Sequence, residues 1–103
     1  MAIVTQKNDG VEITRNTTIA HKSDVTAAER SFKLGYKPSF VQVVNADDRE
    51  TLEWYVGMAS DSAVKTVAAG TRTLVTSAGI KVKGDTIAFT DVQNKQFYVR
   101  AQG

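Results

Sequence analysis

The atoms of a nucleophilic hydrolase occur close together in this chain: His21, Ser23 and Asp24 carry an imidazole, a hydroxyl and a carboxylate within four residues. A catalytic relay needs those groups to converge in line from separate parts of a fold. Three near neighbours on one loop cannot take up that geometry, so His21 is not expected to be catalytic. It is the only histidine, and the chain has no cysteine, which excludes disulfides, thiolate chemistry and zinc ribbons together. The run Asp47-Asp48-Arg49-Glu50, with Glu53 nearby, is the densest group of charges. It lacks the glycine and the alternating oxygen ligands of a calcium loop and carries both signs, so it reads as a solvated loop. Asn16-Thr17-Thr18 fits a glycosylation sequon and Lys83-Gly84-Asp85 an adhesion-type tripeptide, but the second is better read as a hairpin turn. Trp54 and Tyr55 could stack on a sugar, though aromatic residues on strands more often serve a core or an interface. The residues thus lead us to expect no enzyme, no cofactor and no metal site.

The partners are narrowed in the same way. Thirteen basic and eleven acidic residues leave a formal charge of +2, and the basic residues are scattered rather than gathered into a stripe. That is no footprint for phosphate, so nucleic acid is not an expected partner. No apolar run approaches the roughly 20 residues of a membrane helix, and no charged leader precedes one, so no membrane association is expected.

The elements that would position any site are strands. Thirteen Val, twelve Thr and five Ile stand against three Leu, and β-branching stiffens χ1 in a way that suits a pleated surface better than a helix. Residues 1–15 read as a hairpin or arm, with Ile3, Thr5, Val11 and Ile13 at alternate positions about Asp9-Gly10. A helical turn capped by Asp24 is conceivable over Val25 to Arg30, but Phe32 and Leu34 alternate with polar neighbours and predict a strand over 29–34. Further strands are expected over 40–45, 51–56, 63–67, 72–77, 80–83, 86–90 and 96–101. Ala69-Gly70, Ala78-Gly79, Gly84-Asp85 and Asn94-Lys95 serve as turns, Gly84-Asp85 as a two-residue type II′ hairpin. Alternation places Leu52, Trp54 and Val56 together on the core face. The whole predicts a single domain over 1–103: an antiparallel β-sandwich, jelly roll or small barrel of about eight or nine short strands.

Within Leu34 to Ile80, the order Leu34-Gly35-Tyr36-Lys37-Pro38-Ser39-Phe40-Val41-Gln42-Val43-Val44-Asn45, then Glu53-Trp54-Tyr55-Val56-Gly57-Met58-Ala59, then Gly70-Thr71-Arg72-Thr73-Leu74 and Gly79-Ile80, resembles small virion structural proteins of tailed bacteriophages, above all capsid decoration or cement proteins. The resemblance covers nearly half the chain; residues 1–28 contribute nothing to it. It implies a non-enzymatic structural protein, made in the host cytoplasm and carried on the capsid surface of the virion. There it would bind the major capsid protein as a homo-oligomer, a trimer or dimer, and stabilise the expanded head. A tail, neck or fibre component and a carbohydrate-binding host-attachment module are the alternatives.

Cementing needs contact surface that a monomer leaves unsatisfied, and repetition lets small contacts suffice. Ile3 and Val4 are candidates because an N-terminal arm can add a strand to a neighbour's sheet edge, although an ordinary first strand paired in its own domain fits the same residues. Tyr36, Tyr55, Tyr98 and Arg72 are candidates because amphipathic aromatics and arginine are enriched at interfaces.

Overall fold

The computed structural model describes residues 15–103. The arm or hairpin expected over 1–15, with Ile3 and Val4, therefore lies outside the described residues except for Arg15. Eight strands follow: β1 (Asn16–Lys22), β2 (Glu29–Lys33), β3 (Phe40–Asn45), β4 (Glu50–Tyr55), β5 (Ser62–Thr66), β6 (Arg72–Lys83), β7 (Thr86–Thr90) and β8 (Gln96–Gln102). They form one antiparallel sheet in the order β1-β8-β3-β4-β5-β6-β7-β2. The sheet curls into a half-barrel, which agrees with the all-β antiparallel fold that the β-branched composition predicts.

Alternation explains which face is inside. In β3 every second residue is buried, and in β8 Phe97, Val99 and Ala101 are buried while Tyr98 and Arg100 are exposed. The register aligns Val41 with Trp54 and Ala101, and Val43 with Val99 and Leu52, so like faces like across the strands. With Ile80, Ile87, Phe89 and Phe97 these residues make the core. Burying each large side chain stabilises the fold by about 1.5–3 kcal/mol.

Four elements differ from the sequence reading. Asn16–Lys22 is a strand, with alternate residues half-buried, where no strand was expected, and it carries His21 on a strand rather than on a loop. Its one aliphatic core residue, Ile19, is too weak a period-2 signal to stand out between threonines. Val25 to Arg30 forms no helical turn; the Asp24 carboxylate accepts a bond from the Thr26 amide and shapes a local turn instead. Val56 is 66% exposed, because β4 stops at Tyr55 and Gly57, at φ 97°, turns the chain away. Ala78-Gly79 is no turn at all. Residues 72–77 and 80–83 belong to one strand, β6, interrupted by a bulge: Ala63 faces Val75 while the adjacent Ser62 faces Ile80. Gly79 is forced there, since a Cβ would lie 2.5 Å from the Ser62 carbonyl carbon. Gly84, at φ 59°, sits in the two-residue hairpin between Lys83 and Thr86 as expected.

Candidate functional site

β1 and β2 end the sheet and approach each other without sharing a ladder. The buried Asp91, from the β7–β8 loop, fills that seam. Its carboxylate accepts from His21 Nε2 on β1 at 3.0 Å, from Arg30 Nε on β2 at 2.7 Å and from the Ala28 amide at 2.8 Å. Burial pushes the Asp91 carboxyl up, but the bonds from His21, Ala28 and Arg30 outweigh it and hold the group below the ordinary carboxylate range. Asp91 in turn raises the Arg30 guanidinium above its ordinary value, against its own desolvation. The His21 ring meets Phe32 and Phe89 edge-on, with centroids 5.9 and 6.4 Å away.

Ser23 does not join His21. Its hydroxyl lies against the Val92 carbonyl and accepts from the Lys95 amide at 2.7 Å, binding the β1–β2 loop to the β7–β8 loop. The groups that the sequence offered as a triad are thus spent on holding the seam. Asp91 and Arg30 were missed because they lie 70 and 9 residues from His21 and carry no local pattern.

The acidic loop is tied down as well. The Asn45 side-chain amide donates to the Asp48 carboxylate and its Oδ1 accepts from the Asp48 backbone N–H, Asp47 accepts from the Gln96 backbone N–H at 2.8 Å, and Lys95 pairs with Asp48 at 3.2 Å. No group of three or more potential metal ligands occurs among the described residues.

The interface candidates divide. Tyr36 is half-buried in the β2–β3 crossover, its hydroxyl 2.8 Å from Thr17 Oγ1 and 3.1 Å from the Ala101 carbonyl, so it ties the crossover to β1 and β8. Tyr55, Tyr98 and Arg72 share the outer face of the sheet, Tyr98 and Arg72 at opposite ends of one row. One row across the strands runs Tyr98, Val44, Thr51, Thr66, Arg72; the next runs Arg100, Gln42, Glu53, Val64, Leu74. In a third row Phe40 and Tyr55 meet with ring centroids 5.3 Å apart. Tyr98 is 47% and Leu74 63% exposed. Phe40, Val44 and Leu74 were missed, although a signal existed: Phe40-Val41-Gln42-Val43-Val44 is apolar on both faces, more than a strand with one wet face requires.

Trp54 is only 5% exposed and donates its indole N–H to the Ala59 carbonyl at 3.2 Å, so it is a core residue and not a sugar platform. A cavity of about 120 Å³ opens beside the bulge of β6, lined by Leu52, Phe89 and Phe97 together with the polar Asn45, Glu50, Lys65 and Thr90.

No protein-family model, no curated protein and no solved structure matches this chain. No helix among the described residues is long and apolar enough to cross a membrane.

Proposed function

We propose that this chain is a non-enzymatic virion structural protein that decorates and stabilises a bacteriophage capsid through protein–protein contacts. The observation that carries the reading is the outer face of β8-β3-β4-β5-β6, where Tyr98, Val44, Phe40, Tyr55, Val64 and Leu74 surround a narrow polar row of Arg100, Gln42 and Glu53. Exposed tyrosines over an aliphatic ground, with arginines at the margin, are the composition of a contact surface. The resemblance of Leu34 to Ile80 to decoration proteins supplies the partner, the major capsid protein, and the site of action, the capsid surface.

The test is to image particles assembled with and without the chain and to measure the temperature at which expanded heads rupture. Density distributed over the capsid lattice and a lower rupture temperature for bare heads are expected, because a ligand stabilises the state it binds. Replacing Tyr55 and Tyr98 together by serine should weaken head binding by at least about 2 kcal/mol while leaving the fold intact. Density confined to a tail or neck ring would reassign the chain within the virion. Binding to a glycan array but not to heads would replace the reading with host attachment.

A further inference from the structure

The barrel has a lateral opening that the outer face does not explain. β6 pairs with β7 only over Lys81–Lys83, and the bulge swings its upper half away, so that residues 72–75 pair with β5 alone. Across the opening Phe89 and Thr90 of β7 pair with β2 but have no partner on β6. The Val67 amide donates to the Thr71 carbonyl at 3.1 Å, which fixes the phase of the β5–β6 ladder. In an antiparallel pair the hydrogen-bonded and non-bonded positions alternate, so the N–H and C=O groups of Arg72 and Leu74 point away from β5 into the opening.

Sheet edges in soluble proteins are ordinarily blunted by Pro, Lys, inward charges or short length. The segment Arg72-Thr73-Leu74-Val75-Thr76-Ser77 has no proline, lysine or acidic residue. Beside it lies the 120 Å³ cavity, close to the roughly 150 Å³ that accommodates a benzene ring and hence large enough for one branched aliphatic side chain. Among the described residues, an edge without a ladder partner lies next to a pocket that mixes apolar walls with Asn45, Glu50, Lys65 and Thr90, and such an edge and pocket are what an added strand requires.

We propose that this opening is an acceptor for a β-strand, and that its occupant is residues 2–7 of a second copy of the chain, with Ile3 entering the cavity. Within Ala2-Ile3-Val4-Thr5-Gln6-Lys7, Ile3 and Thr5 fall on one side and Val4 and Gln6 on the other, the period an added strand needs. Arg15 lies beside Gly103, at the end of the barrel opposite the rim of the cavity. Entry by residues 2–7 of the same chain would run past β2 and β7, about 14 Å around the sheet, and up the five residues of β7, roughly 17 Å, whereas a second copy can present the segment directly. Reciprocal exchange between two copies closes a dimer, and one-way exchange closes a larger ring or continues as a chain of subunits.

The experiment needs no phage heads, so it stands or falls separately from the capsid reading. Sedimentation of the full chain should show a concentration-dependent oligomer. Deleting residues 2–7, or substituting Leu74→Pro to remove one outward amide without touching the β5 ladder, should each weaken association at least about tenfold, with circular dichroism unchanged. Because the chain has no cysteine, a mixture of Ile3→Cys chains with Thr90→Cys chains should form an intermolecular disulfide, and a mixture of Ile3→Cys with Tyr98→Cys chains should not. The cross-link decides the matter if Leu74→Pro fails to fold. A monomer at all concentrations, equal cross-linking to the outer face, or a bond formed within a dilute Ile3→Cys/Thr90→Cys chain would overturn the proposal.

Discussion

The curled sheet is interrupted twice, between β1 and β2 and between β6 and β7, and the two interruptions are finished in opposite ways. At the first, strands that share no ladder are joined by side chains: one buried carboxylate collects His21, Arg30 and the Ala28 amide. At the second, strands that are paired at their lower ends are driven apart by the bulge, and among the described residues the opening between them keeps a partly apolar pocket and backbone groups with no ladder partner. A missing ladder can therefore be compensated where loops from both sides deliver polar groups to one point. Among the described residues it stays open where a bulge displaces the edge and no side chain crosses.

The sharpest way to break the contrast is to remove Asp91. Asp91→Ala leaves Arg30 and His21 without their acceptor at a buried point, and should destabilise the fold by about 3 kcal/mol in denaturant titration. A loss below 1 kcal/mol would mean that the seam is held by the aromatic contacts of His21 and Phe32 instead. Gly79→Ala attacks the opposite side, because the new methyl group meets the Ser62 backbone. It should cost about 2 kcal/mol, and a neutral result would show that the bulge can relax.

Acid separates the two regions without mutation. Asp91 is held below its unfolded value near 4, so its contribution is complete above that pH and disappears as the pH falls through the folded value. Stability should decline there in the native chain and decline less in Asp91→Asn, as thermal melts across that range will show. Leu74→Ser, on the exposed edge of the opening, should change the stability of the monomer by less than about 0.5 kcal/mol. A larger loss would place Leu74 in packing that its 63% exposure does not suggest.

Much of the architecture could be read from the chain because β-branched residues at period two, separated by turn dipeptides, leave few alternatives. Phe40–Asn45 and Thr86–Thr90 fall where alternation places them. β1 escaped because Asn16-Thr17-Thr18 presents no apolar alternation; the strand is recognisable only beside β8, which aligns Ile19 with Val99. Ala78-Gly79 misled because a bulge and a turn both call on residues that accept positive φ, and Ala78 indeed stands at φ 58°. The seam was least legible, since Asp91 is an ordinary polar residue of the β7–β8 loop until the fold brings it to His21. Tyr55, Tyr98 and Arg72 could be chosen by residue type, but their alignment on one face depends on a register that spans five strands.

The meeting of the two ends of the described chain has a mechanical consequence. Arg15 and Gly103 are hydrogen-bonded to each other, and the strands leading away from them, β1 and β8, are ladder partners. Tension applied between these ends acts across that ladder and loads its bonds one at a time, like a zipper opened from its free end, rather than all together in shear. Peeling begins at the Gly103–Arg15 bond and runs toward Lys22 and Gln96, where the Asp91 cluster is the first obstacle that does not yield bond by bond. A molecule built this way resists load poorly through these two ends.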